Sequence, residues 1–237
     1  MKTLNLLFIS LLLCIKVYAQ RPGDFTQGTL NELIPFDNTV KQRHGSNYLL
    51  KGWSKGKIRL KYKGKIKEFS DLELRYDLAN QHLEVKFNNG LTNQTKVKVF
   101  NDQYLDGFEY RNAETKKMDY FEKCKKYKLN PPLYGFFKVL VKGKKIALFE
   151  RLTSYVQKGN EFKTLGIGSP NERIIQKREF YVTKGDKTYK IKRRKKTVLA
   201  LFGDKKNDVK AFARENDLFY KSADDLSAIF KYYDGLK

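Results

Sequence analysis

The sequence is poor in the residues that carry most recognisable chemistry. Its 237 residues include two cysteines, two histidines, five prolines and one tryptophan. Two histidines, His44 and His82, with so few thiols cannot supply a zinc set without several carboxylates. Five prolines and 16 glycines exclude collagen-like or proline-rich low-complexity architecture. Acids are scarce as well: 26 against 49 lysines and arginines, for a formal net charge of +23. Long apolar runs are missing, and the longest stretch, about a dozen residues over 4–15, is too short to cross about 30 Å of hydrocarbon. What the chain does have is a foldable composition, 41% hydrophobic and 14% aromatic with 17 Phe and 15 Tyr, where disordered chains are aromatic-poor. Its length fits one large domain or two small ones.

That apolar stretch reads as a signal peptide over residues 1–19. Lys2 precedes it, and Val17 and Ala19 place small residues before a cut that would leave Gln20 as the new terminus. Leucines 11–13 before Cys14 argue against lipid attachment there. Cleavage removes Lys2 and Lys16, lowering the net charge from +23 to +21, and no transmembrane segment is expected afterwards. The expected location is the periplasm or the cell surface and exterior. Cys124 then stands alone, so an internal disulfide is impossible. Neighbouring Lys123, Lys125 and Lys126 would favour its thiolate; the competing expectation is a structural cysteine on an aromatic-flanked strand.

Residues 20–45, with Pro22, Gly23, Gly28, Pro35 and Gly45, read as a partly irregular leader in which Leu30 to Leu33 could form one helical turn. From Tyr48 the apolar period becomes two. Ile58, Leu60 and Tyr62 alternate with Arg59 and Lys61, Lys63-Gly64 breaks the run, and 66–69 resumes it, which is a hairpin pattern. Strands over 72–76 and 82–87 form a second hairpin, and further strands are expected at 97–99, 107–111, 118–124, 134–141, 145–152, 180–183 and 188–192. Such spacing without helical period predicts an antiparallel β domain over 46–192, a sandwich or barrel-like sheet. Helical period starts near Lys195, with Gly203 as a stop, Asp204 as the cap of the next helix, and Ser222 with Asp225 as a capping box for a helix burying Leu226, Ile229, Phe230 and Tyr233. The fold class is therefore α+β, predominantly antiparallel β with a short C-terminal helical segment over 193–237 packed on the sheet.

Several short motifs in order resemble a family of uncharacterised exported proteins common in Bacteroidota. They are residues 45–49, Gly52-Trp53 with Gly56, Leu74-Arg75-Tyr76-Asp77 with Leu83-Glu84-Val85, residues 134–140, and the ending from Lys195-Lys196 through Leu199, Phe202 and 204–206 to 224–226 and Tyr232-Tyr233. The resemblance covers roughly residues 45–235. It departs at Asn47, where the family often has proline, and in this chain's stronger basicity. It implies export and architecture, and brings no activity or site residues with it.

Individual motifs yield little chemistry. Gly166, Gly168 and Pro170 look like the start of a phosphate-type glycine loop, but the third glycine is absent, no strand-to-helix unit surrounds it and Pro170 interrupts, so the stretch reads as a flexible surface loop. Asn93-Gln94-Thr95 fits a glycosylation acceptor but reads as a turn. Asp224-Asp225 fit the first turn of a helix, Asp71 and Glu73 solvent-facing strand positions, and Arg75 with Asp77 two apart on one strand face a structural pair or a polar ligand contact. No catalytic, cofactor-binding or metal-binding residues are expected. Charge is the strong deviation. Lys192, Arg193, Arg194, Lys195 and Lys196 are consecutive, and Lys184, Lys187 and Lys190 lead into them; a second concentration runs from Lys116 to Lys128 with Tyr120, Phe121 and Tyr127 interleaved. The sequence thus predicts an exported cell-envelope protein, non-catalytic, with a basic surface at these eight residues for an anionic glycan, a lipid surface or an acidic protein. Export disfavours nucleic acid. The alternatives are a glycan hydrolase with dispersed carboxylates and an accessory subunit of a secreted complex.

Overall fold

Lys63 and Gly64 both carry positive φ, 46° and 77°, which makes the type I′ turn whose twist suits two antiparallel strands. The computed structural model describes residues 43–89, 94–160, 168–169 and 171–237. The signal peptide, the leader up to residue 42, Asn93, Gly166 and Pro170 lie outside these.

Among the described residues eleven strands form one sheet: β1 (Arg43–His44), β2 (Ser54–Tyr62), β3 (Lys65–Asp77), β4 (His82–Asn89), β5 (Gln94–Phe100), β6 (Leu105–Arg111), β7 (Met118–Lys123), β8 (Phe136–Lys142), β9 (Ile146–Gln157), β10 (Glu172–Lys184) and β11 (Lys187–Ile191). Their order is β1-β10-β9-β8-β7-β6-β2-β3-β4-β5, and β11 also pairs with β10. Every pairing is antiparallel except the two-residue contact of β1 with β10. Helices α1 (Lys195–Leu199), α2 (Lys206–Glu215) and α3 (Ala223–Gly235) follow, with a 3-10 stretch Ala200–Lys205 between the first two. The α+β architecture read from the sequence is the one observed.

The sheet curls strongly. Strands lie about 4.8 Å apart, so β3 and β8, four places apart in the order, would stand about 19 Å from each other if the sheet were flat. Instead the Tyr76 ring on β3 lies 6.0 Å from Phe136 on β8 and 5.7 Å from Phe121 on β7. Inside this curl Ile58, Leu74, Leu83, Val85, Phe108 and Phe121 are buried, and Phe108 stacks on Phe121 at 4.4 Å. The β3–β4 turn closes the curl against β9, where Gln81 Nε2 donates to Leu152 O at 2.9 Å.

β8, the first half of β9 and the second half of β10 are packed on both faces. Alternation along β10 puts Phe180 and Val182 under the helices and Tyr181 on the opposite face. There Phe137, Phe149 and Tyr181 meet Tyr127, Leu129 and Leu133 from the segment after β7. A bulge at Leu140 lets Phe136 point into the curl while Val141 joins the helices. On the helical side Leu226, Ile229, Phe230 and Tyr233 of α3 pack with Leu148, Phe180 and Val182.

Several local expectations are corrected. Asp204 does not cap α2: it lies within the 3-10 stretch, and the N-cap position is Lys205, without a side-chain cap bond. Gly203 does break the helix, at φ 55° and ψ −124°, and Ser222 Oγ accepts from Asp225 N at 3.0 Å as a cap should. The Asp225 carboxylate accepts from Phe219 N, so it ties down the incoming loop. His44, at the end of the stretch read as a partly irregular leader, belongs to β1. After Gly168-Ser169 the next element is strand β10, in keeping with the rejection of a phosphate loop, which requires a helix there.

Candidate polyanion interface

The run 192–196 leaves the end of β11 and enters α1, and its position is set by two apolar anchors on either side. Ile191 is buried at the strand end, and Val198 and Leu199 are buried on α1. With both ends held, the five cations between them stay exposed. Arg193 Nη1 donates to Lys221 O, and its guanidinium lies 5.1 Å from the Phe180 ring centroid. Lys195 Nζ sits 5.8 Å from the Tyr220 ring. These contacts bring the chain around 218–221 alongside the basic run.

A groove results, from the free edge of β10 across 193–195 to the exposed face of α2. Its central part, about 470 Å³, is lined by Arg193, Arg194, Lys195, Lys210, Arg214 and Lys221, with Leu218, Phe219 and Tyr220 as its apolar wall and Asp217 as its acid. Lys210 and Arg214 are one helical turn apart on α2, so both point to the same side. Among the described residues no ion pair engages Arg194, Lys195, Lys210, Arg214 or Lys221. Lys195 and Lys196 begin a helix with no acid in its first turn, where the macrodipole disfavours cations. Their placement therefore works against local stability.

At the β10 end the groove includes Lys177, Arg178, Glu179, Lys190 and Lys192. Glu179 is compensated: burial works to raise its pKa, but hydrogen bonds from Lys177 at 2.7 Å and Lys190 at 2.5 Å prevail and hold it at about 2. Glu179 with its two lysines carries a single net positive charge, to which Arg178 and Lys192 add theirs.

Of the eight cations picked out in the sequence, Lys192, Arg193, Arg194 and Lys195 line the groove, Lys196 stands exposed beside them, and Lys190 is tied to Glu179. Lys184 and Lys187 do not join them. Lys184 Nζ donates to Leu201 O at 2.8 Å, and Lys187 lines a separate hollow with Lys125 and Lys128. The groove gains Lys210, Arg214 and Lys221 in their place. Lys210 and Arg214 could have been found from their i, i+4 spacing; Lys221 is brought in by the fold alone.

In the second basic concentration several of the charges and rings are engaged within the fold. Phe121 is core, Tyr127 donates to Glu122 at 2.7 Å, and Lys125, Lys126 and Lys128 pair with Asp102, Asp106 and Asp186. Cys124 departs from the thiolate expectation: burial pushes its thiol up to about 12, against the opposing pull of Arg151, whose Nη1 lies 3.3 Å from Sγ. Lys125 and Lys126 point instead to their acids. Nor do Arg75 and Asp77 pair. Arg75 is directly opposite Glu84 and bonds it at 2.6 Å, its guanidinium 3.9 Å from the Tyr48 ring and 4.6 Å from Trp53. Asp77 accepts from Ala79 N and Asn80 N, which shapes the β3–β4 turn.

Buried acids elsewhere have structural neighbours. Asp119 bonds Lys138 at 2.7 Å and Asn112 at 3.0 Å. Glu150, 2% exposed, has Arg178 at 3.4 Å. Burial raises the pKa of Glu150, Arg178 and Lys138 oppose that, Asp119 adds to it, and Arg193 opposes it. Because its folded pKa lies above the unfolded value, the fold loses stability as pH rises from the ordinary carboxylate range through the raised pKa. Glu150→Gln should therefore stabilise the protein at neutral pH, with an advantage over wild type that grows from about pH 4 upward and then levels off. Neither cation is stranded by the change, since Lys138 keeps Asp119 and Arg178 is largely in solvent. Thermal melts at pH 4 and pH 7 would check this; a Gln variant that is less stable at pH 7 would mean that pairing outweighs burial.

Among the described residues no cluster of three or more His, Cys, Asp or Glu could hold a metal ion, and no helix is long and apolar enough to cross a membrane. No family model, curated protein or solved structure matches the chain.

Proposed function

We propose that this is an exported, non-catalytic binding protein of the cell envelope whose groove captures an extended anionic polymer. The observation that carries the reading is convergence: Arg193, Arg194 and Lys195 before and within α1, Lys210 and Arg214 on α2, and Lys221 before α3 face one groove that holds Asp217 as its acid. A surface made basic only for solubility scatters its charge and intersperses both signs. A polymer with anions at regular intervals would meet several of these cations at once and release counterions. The apolar wall at Leu218 and Phe219 suits the flat face of a sugar ring or another amphipathic backbone unit.

Heparin, as a dense polyanion, and polygalacturonate, as a sparser one, probe the reading. Changing Arg194, Lys195, Lys210 and Arg214 together to Gln should lower heparin affinity by at least about tenfold at 100 mM salt. Changing Lys61, Lys63, Lys65 and Lys67, on the β2–β3 hairpin, should leave it close to wild type. Polygalacturonate should show the same order with smaller losses. Equal losses from the two sets would mean that net charge alone binds the polymer.

A further inference from the structure

The β2–β3 hairpin extends past the rest of the sheet. β6 follows β2 to Leu60, and one more bond joins Lys61 N to Tyr104 O, while β4 pairs β3 only over residues 73–77. Among the described residues the hairpin therefore has no neighbouring strand beyond Lys61, and its tip stands about 10 Å past that rim at about 3.3 Å per residue. The tip carries exposed apolar side chains: Tyr62 is 56% exposed and Ile66 55%. Lys65 is directly opposite Tyr62, and Lys61 directly opposite Ile66, so the two apolar side chains lie on opposite faces of the hairpin. Lower down, Phe69 at 43% and Tyr104 at 58% are exposed near its base. Lys61, Lys63, Lys65 and Lys67 surround the tip, and among the described residues none of them forms an ion pair. Lys63 and Lys67 ammonium groups sit 5.4 and 5.6 Å from the Tyr62 ring centroid.

The geometry points to a membrane-anchoring hairpin that inserts Tyr62 and Ile66 into the headgroup region of an anionic lipid surface. Apolar groups on both faces of a thin tip are poorly matched to a protein partner, which would cover one face. A medium that surrounds the tip covers both. A hydrophilic polymer would gain little from Tyr62 or Ile66, whereas lipid rewards their burial and its phosphates match the four lysines. Reach and chemistry agree on depth. A projection of about 10 Å fits the roughly 5–10 Å of interfacial insertion, lysine stems can extend back to the phosphates, and the unpaired outer edges of the two strands bar deeper entry. A second copy of the chain is a poorer occupant, since edge-to-edge pairing would set lysines against lysines. This surface is separate from the groove and does not depend on it.

The test uses the full mature chain with vesicles of phosphatidylcholine and phosphatidylglycerol at a seven to three ratio. Tyr62→Ser with Ile66→Ser should reduce vesicle partitioning by about tenfold, while heparin affinity and melting temperature stay at wild-type values. A Tyr62→Trp reporter should shift to the blue on vesicle addition and be quenched by lipids brominated in the upper acyl chain. The groove variant should lose heparin binding yet still give that reporter shift, so failure of either idea can be told from failure of the other. Unchanged partitioning by the double serine variant, or a reporter that stays in water while the protein is vesicle-bound, would overturn the proposal. So would a lipid-free dimer of the wild type that the serine changes dissolve.

Discussion

A chain ending at Lys221 should fail to fold cooperatively. It would lack Leu226, Ile229 and Phe230, all fully buried, and Tyr233, which packs 4.7 Å from Phe202. These side chains cover Leu148, Phe180, Val182 and Ile191 on the sheet, so the truncation removes one side of a shared core. Burying each such side chain is worth about 1.5–3 kcal/mol, and voids in what remains add to the loss. The sum is comparable to the roughly 5–15 kcal/mol that stabilises a whole domain. A polar link goes too: Asp234 accepts from Lys144 N at 3.0 Å and Lys145 N at 2.7 Å in the β8–β9 turn. Denaturant titration would check the outcome. A truncated protein with wild-type midpoint and slope would make the helices an independent appendage.

Two glycines four residues apart should respond in opposite ways. A Cβ on Gly56 would lie 2.2 Å from Glu109 O, 2.6 Å from Leu74 Cδ1 and 2.9 Å from Tyr110 Cβ. Gly56 is opposite both Leu72 of β3 and Tyr110 of β6, and although the Leu74 side chain could turn aside, the Glu109 carbonyl belongs to paired backbone and cannot. Gly56→Ala should destabilise the protein by about 3 kcal/mol, at the upper end of the overpacking range. At Gly52 an added Cβ would find nothing within 4 Å, and Gly52→Ala should be neutral within about 0.5 kcal/mol, as for an ordinary surface change. Comparable losses at both would contradict the packing described around β2.

The sequence shows some of this and hides the rest for identifiable reasons. Alternation located the β3–β4 hairpin because one face of each strand there is buried and the other wet, whereas at the β2–β3 hairpin the apolar residues it picked out beyond Leu60 are exposed on both faces. It missed the second half of β9 and the first half of β10. Tyr155, Val156 and Gln157, and Lys177 and Arg178 opposite Thr153 and Leu152, lie in largely exposed strand that backbone pairing holds. Curling was invisible too, since the meeting of Tyr76 with Phe136 joins residues 60 apart that no periodicity connects. Among charges, the run 192–196 was legible as a run. Which neighbours join it is decided by tertiary contacts: the Leu201 carbonyl draws Lys184 away, and the fold brings in Lys221. The lysines beside Cys124 do not activate it, in line with the structural reading, because a thiol responds to burial and to Arg151, and its sequence neighbours are held by Asp102 and Asp106.

The salt dependence of heparin binding tests the central claim most directly. Affinity would be measured for the wild type, the groove variant at Arg194, Lys195, Lys210 and Arg214, and the hairpin variant at Lys61, Lys63, Lys65 and Lys67, each from 50 to 200 mM salt. On a double-logarithmic plot each phosphate-like contact adds about 0.9 to the slope for a polymer as dense as duplex DNA, somewhat less for a sparser one. The groove account predicts that the first variant loses roughly three units of slope while the hairpin variant stays parallel to the wild type. Parallel lines for all three proteins, or equal flattening by both variants, would contradict it.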